Sequence, residues 1–416
     1  MPVDCIGTEL NMNRLTSEQQ AILTLLQQSL WGESFPLPTT VNWEAVDVVA
    51  KEQGVISFMY DGAIKAGVEV PPEILQNWKK KMLHGVVNNE RLLIAQNELF
   101  SWFTQEKIPA VVLKGSSVAR CYPKPELRVL GDIDILVSKE DLTKAQNLLE
   151  SKGYKTHESD HGFHVGLCRK GVSVELHYDV TDFPDSEGGR ATKMETARFM
   201  EDIAHGELYN YNFSVLSDGN QGLSLLLHMI RHMFGGGIGL RQLCDWAVYI
   251  ASIDPEVFEN KTLCILERCG LLRYAKAATR ACVKYLGMPD RNLSWCADVT
   301  DEESYGFVDN IFHGGNMGSA NKDGVGGLLT DSDAMGSKQN AILAMFTKLT
   351  KIAYHHFPFL KKCKILLPVF WVFLPIRYAV RALFGLRPKK SVTKVMAAAN
   401  RQRNLYEMLR PFEKKK

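Results

Sequence analysis

The sequence has almost no excess of charge of either sign: 49 lysines and arginines stand against 47 aspartates and glutamates, for a net charge of +2. Proteins that bind nucleic acid usually carry a concentrated basic surface, so this balance argues against nucleic acid as a partner. The nine cysteines include no Cys-x-x-Cys pair, and the nearest two, Cys264 and Cys269, lack further ligands at zinc spacing. We therefore expect reduced thiols and no structural zinc.

Long apolar runs are also missing. Residues 365–376 are almost wholly apolar, but these 12 residues are interrupted by Pro368 and Pro375 and are too few to span a bilayer. No basic stretch followed by an apolar one stands after Met1, so no secretory signal is expected. These features predict a cytoplasmic protein, and 416 residues are enough for roughly two or three domains.

The same apolar run continues into a basic stretch. Its cations are Arg377, Arg381, Arg387, Lys389 and Lys390. Bulky side chains such as Trp371 and Phe373 followed by cations can lie in an anionic membrane surface. A helix packed on the protein's own core with a solvated basic tail has the same pattern. The sequence thus leaves two hypotheses for 365–390, peripheral contact with the inner face of a membrane and core packing.

The clearest positive signal is a pair of acids in the middle of the chain. Asp132 and Asp134 stand two apart in a stretch rich in Ile, Leu and Val, which is typical of a buried strand. Side chains alternate along a strand, so both carboxylates project from one face. Two neighbouring acids repel each other unless a cation lies between them. Their oxygens suit Mg2+, with Mn2+ as the alternative, and Mg2+ takes further ligands from substrate phosphates.

A third acid is available at Glu175. The segment from His164 to His177 is typical of a hairpin, with a turn near 169–171 and a second strand over 172–178. If this second strand pairs beside the strand of the two aspartates, three carboxylates converge on one site. They would be enough for two divalent ions about 3.5–4 Å apart. His177 shares a strand face with Glu175 and is a weaker candidate for a general base.

A phosphate-binding turn is predicted upstream of the acids. A short apolar strand over 108–113 ends in Lys114, Gly115 and Ser116, and we expect a helix from about Val118. Glycine lets the backbone approach a phosphate closely, and N–H groups at a helix start favour an anion. Lys114 and Arg128 could neutralise the remaining charge of a triphosphate.

This order of segments resembles the DNA polymerase β-type nucleotidyltransferase superfamily, and within it the bacterial group described as uncharacterised nucleotidyltransferases. The resemblance depends on a Leu-Lys-Gly turn, a Tyr-Pro before an Arg, an Asp-Ile-Asp-Ile-Leu-Val strand and a Val-Glu-Leu-His strand. In this chain the turn is at 113–115, the Tyr-Pro pair is at 122–123 before Arg128, and the two strands are at 132–137 and 174–177. Similarity to the narrower group extends more weakly to about residue 250.

The resemblance implies an α+β fold, in which a minimal nucleotidyltransferase core with a mixed sheet lies between N-terminal and C-terminal helical regions. It implies Mg2+ held by Asp132, Asp134 and Glu175. The chain departs from many relatives in a longer gap between the glycine turn and Asp132. We therefore expect the loop 121–130 to bulge over the site.

Five regions follow from these patterns. They are an N-terminal helical region over 1–100, a catalytic core over 101–215, a helical domain over 216–300, a glycine-rich flexible loop over 301–345, and a helical, basic region over 346–416. Within the first region, a helix should begin near Ser17, Asn42 should cap a second, and 71–103 should form a third.

A helix predicted over 218–234 carries a polar stripe that includes His228, Arg231 and His232. Ordinary polar packing is one interpretation. A zinc site is disfavoured because no third ligand is evident. The third interpretation places these side chains against the acceptor or a phosphate, which the resemblance favours because the group also has His-x-x-x-His here. On the next helix, Arg241 and Asp245 are one turn apart and should form a structural ion pair.

The sequence as a whole predicts transfer of a nucleoside monophosphate from an NTP to a hydroxyl or phosphate acceptor. The acceptor would be a small molecule or a precursor of a cell-surface polysaccharide. An enzyme that modifies RNA or protein, and an inactive nucleotide-binding regulatory module, are the alternatives. No motif names the acceptor, the NTP or the oligomeric state.

Overall fold

A computed structural model describes residues 14–157, 163–180, 183–235, 237–289, 293–316, 357–361, 363–383 and 392–413, together with 346, 349–350 and 353–354. Most of the predicted glycine-rich loop lies outside the described residues, as does the segment 384–391 with the cations Arg387, Lys389 and Lys390.

Among the described residues four helices precede the sheet, and the first two start at capping side chains. They are α1 (Ser17–Trp31), α2 (Trp43–Gln53), α3 (Ile56–Ala66) and α4 (Pro72–Gln105). Thr16 and Gln19 form a capping box at the start of α1. The expected cap at Asn42 is confirmed, because its side chain accepts a hydrogen bond from the N–H of Ala45 at 3.1 Å.

The middle of the chain forms a seven-stranded mixed sheet flanked by helices, which confirms the predicted α+β class. Its strands are β1 (Ala110–Val112), β2 (Ile133–Val137), β3 (Lys155–His157), β4 (His164–Arg169), β5 (Val172–His177), β6 (Ile203–Leu208) and β7 (Tyr211–Leu216). The spatial order is β3-β4-β5-β2-β1-β7-β6. The pairs β2–β5 and β1–β7 are parallel and the others antiparallel.

The turn between β4 and β5 explains why the hairpin could be predicted. Lys170 and Gly171 have φ angles of 49° and 76°. Two consecutive residues with positive φ make the tight turn whose twist matches that of the flanking strands. This turn fixes the register of β5 and hence the face on which Glu175 projects.

Helices between and after the strands complete the fold. They are α5 (Ser116–Ala119), α6 (Leu142–Ser151), α7 (Glu187–Thr196), α8 (Asp218–Gly235), α9 (Leu240–Ser252), α10 (Pro255–Val257), α11 (Cys264–Arg268), α12 (Leu272–Leu286), α13 (Asp301–Gly314), α14 (Leu367–Leu383) and α15 (Val392–Leu409), with a π-helical turn at Phe258–Leu263. Short 3-10 helices lie at Pro125–Leu127, Phe199–Glu201, Ser294–Cys296, Pro358–Lys361 and Lys364–Leu366.

Two apolar clusters meet at the sheet. Ile133, Ile135 and Val137 pack on the C-terminal half of α4 and on α6. The other cluster combines α1 to α3 with α8, α9, α12 and α13, for example Leu25 with Trp246. The N-terminal helices and those that follow the sheet therefore bury their apolar faces in one core.

Two helices differ from the sequence-based expectation. The helix predicted from about Val118 begins at Ser116 and has only four residues, because the chain tightens into reverse turns and reaches Pro123, which has no N–H to donate. The segment predicted to start a loop at 301 forms α13 instead. Its signal was the capping box of Thr300 and Glu303.

The C-terminal region is helical where it is described. The end of α15 packs into the main core through Leu405 and Leu409. No helix among the described residues is long and apolar enough to cross a membrane.

Candidate active site

The three predicted acids converge. Strands β2 and β5 are neighbours, and their parallel register sets Asp134 beside Glu175. Asp132 lies two residues earlier, just before β2. Carboxylate oxygens of the three residues lie within 4.8 Å of one another. Asp134 is buried, whereas Asp132 and Glu175 are partly exposed.

The electrostatic environment differs between the two aspartates. The negative charge of Asp134, reinforced by burial, raises the pKa of Asp132 to about 6. Burial would also raise the pKa of Asp134, but Lys114 and His177 outweigh burial and lower it. Lys114 Nζ lies 3.0 Å and His177 Nε2 lies 3.1 Å from Oδ1 of Asp134. The other oxygen, Oδ2, is buried and has no hydrogen-bond partner in the part of the chain that the structure describes.

This donor set fits a divalent cation. Three carboxylates on two rigid strands present the hard oxygens that Mg2+ takes from proteins. The open lone pairs of Asp134 Oδ2 and the repulsion felt by Asp132 are both relieved when a cation lies between the acids. Asp132, Asp134 and Glu175 could therefore hold the metal ion that the sequence predicts.

His177 is bound into the acid cluster. Its Nε2 lies 3.1 Å from Asp134 Oδ1 and 3.3 Å from Glu175 Oε2. Burial would lower the pKa of His177, but hydrogen bonds to the two carboxylates raise it. Because the ring is buried and bonded to both acids, it can orient them.

The predicted phosphate turn divides into two parts. Lys114 and Gly115 line a cavity of about 260 Å3 together with Asp132 and Asp134. Gly115 has φ 73° and ψ −108°, a backbone conformation that favours glycine. Ser116 is fully buried, and its hydroxyl donates to Gln96 of α4 at 2.6 Å. Its side chain thus fixes the turn against α4.

Arg128 also lines the cavity, but its guanidinium is committed to Asp245 of α9. Nε donates to Oδ1 at 3.1 Å and Nη2 donates to Oδ2 at 2.7 Å. Tyr122 donates its hydroxyl to the same carboxylate at 2.7 Å. The expected ion pair between Arg241 and Asp245 is therefore wrong, because Asp245 is taken by residues far away in sequence.

The loop 121–130, expected to bulge over the site, is tied to α4. Asn89 donates to the carbonyls of Glu126 and Arg128 and accepts from the N–H of Leu130. One side chain thereby satisfies three backbone groups of the loop, and it holds Arg128 at the wall of the cavity.

Arg241 is a charged cavity residue to which the sequence pattern assigned only a structural role. It lines the cavity with Gln242 and Ser173. Nη1 donates to the carbonyl of Val129 at 3.2 Å and Nη2 to Oδ1 of Asn316 at 3.4 Å, whereas Nε has no hydrogen-bond partner among the described residues. Among the described residues no carboxylate lies within 4.0 Å of this guanidinium, and burial together with the charge of Arg128 lowers its pKa. An anion in the cavity would neutralise it.

The histidine stripe on α8 reaches the cavity through one member. His228 lines it, and the ring of His232 packs 4.4 Å from that of His228. Arg231 instead lies 4.3 Å above the ring of Phe163. Burial and the nearby charge of Lys114 lower the pKa of both histidines, that of His232 to about 3. Both rings are thus neutral at ordinary pH.

A comparison with known families decides what this arrangement belongs to. The model of a family described as "uncharacterised nucleotidyltransferase" matches residues 39–287, more than half of the chain. The chain belongs to this family. It is accordingly a transferase of nucleotidyl groups. The match begins well before the motifs at 113–177 and runs past residue 250, so the family includes most of the N-terminal helices as well as α8 to α12. No curated protein matches the chain.

Proposed function

We propose that this nucleotidyltransferase transfers a nucleoside monophosphate from an NTP to a hydroxyl or phosphate group of a small molecule or a cell-surface polysaccharide precursor, with Mg2+ as cofactor. The observation that carries the proposal is the convergence of Asp132, Asp134 and Glu175 within 4.8 Å at a cavity that also exposes Lys114 and Arg241. Nucleotidyl transfer requires carboxylates that hold a metal ion and cations that neutralise the phosphates.

Asp132, Asp134 and Glu175 would hold Mg2+, with Mn2+ as the alternative. Bound there, a divalent ion supplies positive charge to the phosphates and orients the attacking and leaving oxygens. Lys114, Gly115 and Arg241 would bind the triphosphate. Arg128 would contribute to the positive potential of the cavity from its wall, while its guanidinium stays hydrogen-bonded to Asp245.

In the reaction, the acceptor oxygen forms a bond to the α-phosphorus. The bond from that phosphorus to the oxygen bridging it to the β-phosphorus breaks, and pyrophosphate leaves with the bonding electrons. When the acceptor is a hydroxyl, its proton passes to a base. Glu175 is the better-placed acceptor of this proton because it is partly exposed, whereas His177 is buried and bonded to two acids.

The test is a transfer assay with NTPs labelled at the α-phosphate, Mg2+ or Mn2+, and candidate sugars, alcohols and phosphorylated precursors. We expect label in the acceptor and one pyrophosphate released per transfer. In a parallel assay with NTPs labelled at the γ-phosphate, label in the acceptor would replace the proposal with a kinase reaction. NTP binding without any turnover would favour the regulatory module. Label in RNA or in protein would favour an enzyme that modifies macromolecules. The net charge of +2 argues against RNA as its substrate.

We further propose that α14 brings the enzyme to a membrane surface. Val369, Val372 and Ile376 follow one another at helical spacing on α14, and they are 62%, 62% and 56% exposed. Ile365, just before the helix, is 89% exposed. Such a stripe next to cations can enter the headgroup region of an anionic bilayer. The opposite side, including Leu374, packs in a small cluster with Ala353 and Leu360.

A further inference from the structure

A second group of possible metal ligands lies beside the three acids. His164 on β4 is paired with His177 on β5, so both rings stand on the sheet face that carries Glu175. His164 Nε2 lies 3.8 Å from Oε1 of Glu175, and His177 Nε2 lies 3.3 Å from Oε2. The two imidazoles therefore aim the same nitrogen at opposite oxygens of one carboxylate.

These distances are close to those between donor atoms that share one ion. Donor atoms bound to one metal at about 2.0–2.2 Å lie roughly 3–3.5 Å apart. One ligand atom from each of His164, Glu175 and His177 lies within 4.8 Å of the others. The 3.3 Å between His177 Nε2 and Glu175 Oε2 lies within this range, and the 3.8 Å between His164 Nε2 and Glu175 Oε1 exceeds it slightly.

The imidazoles are held in place before any ion binds. Both rings are buried, with 6% and 3% of their surface exposed. Phe163 packs edge-on against His164, with ring centres 5.0 Å apart, and is stacked near His177 at 6.2 Å. Rings that are already fixed lose little conformational entropy when an ion binds, and this favours metal binding.

Their donor type distinguishes this group from the three acids. Two imidazole nitrogens and one carboxylate suit divalent transition ions such as Mn2+ and Zn2+, whereas Mg2+ prefers oxygen alone. We propose that His164, Glu175 and His177 form a second metal site, selective for a divalent transition ion, which shares Glu175 with the acid site. This proposal rests on the proposed function only because the two sites share Glu175. Binding of the second ion requires no nucleotide.

The test uses metal-free, full-length protein and Mn2+ alone. Pulsed electron paramagnetic resonance reports nitrogen nuclei bound to Mn2+. We expect histidine nitrogen coupling in the wild-type protein, and a changed coupling pattern when histidine carries the heavy nitrogen isotope. His164→Gln should reduce the coupling and weaken Mn2+ binding by about tenfold or more. His157→Gln, at an exposed histidine on the neighbouring strand β3, is the matched control and should change neither.

Bound Mn2+ without nitrogen coupling in the wild-type protein would overturn the proposal, and the imidazoles would then only hydrogen-bond to the carboxylates. The isotope experiment needs no variant, so the proposal stays testable if His164→Gln fails to fold. Coupling that appears in a protein without transfer activity would retain this site and reject the proposed function. Transfer with Mg2+ and no coupling to Mn2+ would do the reverse.

Discussion

Arg128 and Asp245 form a buried pair joined by two hydrogen bonds, of 3.1 and 2.7 Å. It links the loop after α5 to helix α9 at the wall of the cavity. One helical turn before Asp245, Arg241 lines the same cavity with no carboxylate partner among the described residues. Two neighbouring arginines thus differ in charge balance, since the fold neutralises Arg128 with Asp245 but gives Arg241 no carboxylate among the described residues.

Arg128→Ala should lower the free energy of unfolding by about 3–5 kcal/mol, because the substitution leaves the buried carboxylate of Asp245 without its counter-charge. Chemical unfolding measures this loss. In the double variant Arg128→Met, Asp245→Leu, the loss should be smaller than the sum of the two single losses. A variant at Arg128 that melts like the wild type but binds NTP weakly would make Arg128 a direct phosphate ligand, as its position in the sequence predicted.

Arg241→Gln should have the opposite profile. The fold does not neutralise this guanidinium, so stability should change little. A lost hydrogen bond from a charged donor to phosphate costs about 1.5–3 kcal/mol, which raises the Kd for NTP by roughly tenfold or more. Calorimetry with a non-hydrolysable NTP and Mg2+ gives the affinity. Arg190→Gln, at an exposed arginine that pairs with exposed Asp185, is the control. Unchanged affinity in Arg241→Gln would remove Arg241 from the proposed triphosphate site.

The contrast between these arginines shows what the sequence could predict. Asp132, Asp134 and Glu175 were predictable because strand alternation and a two-residue turn fix their positions locally. Asp245 was assigned to Arg241 because a helix brings residues four apart together, yet its actual partner is 117 positions away. The side chain of Ser116 was likewise captured by Gln96, 20 positions away. Contacts made when distant helices pack are not encoded in local spacing.

Asp132→Asn should nearly abolish nucleotidyl transfer, by about 100-fold or more in kcat/KM, because metal positioning supplies much of the catalysis. The same substitution removes repulsion with Asp134, the main cause of the raised pKa of Asp132. The metal-free variant should therefore be at least as stable as the metal-free wild type. Thermal melts in chelator test this, and Asp185→Asn serves as a surface control. Full activity in Asp132→Asn, or in exhaustively chelated wild type, would contradict the mechanism.

His232 should make stability depend on pH. Burial lowers its pKa in the folded protein from 6.5 to about 3, so between these values the unfolded chain binds a proton that the folded chain does not. The free energy of unfolding therefore rises with pH across this window, and its contribution is lost as pH falls from 6.5 toward 3. Urea unfolding of metal-free protein at several pH values measures the slope. His232→Gln should have a shallower slope and exposed His205→Gln should not. Equal slopes in all three proteins would mean that the fold does not lower the pKa of His232.

The exposed stripe of α14 should bind anionic vesicles. Burial of its apolar side chains would supply most of the affinity, and each nearby cation could add about 1 kcal/mol, which salt reduces. Wild-type protein should sediment with anionic liposomes and less with neutral ones. A triple variant, Val369→Ser, Val372→Ser and Ile376→Ser, should stay in the supernatant without a loss of thermal stability, since these side chains are exposed. Ile64→Ser, at a similarly exposed position on α3, should sediment like the wild type. If the wild type ignores both liposomes while the triple variant unfolds, the stripe belongs to the protein's own core.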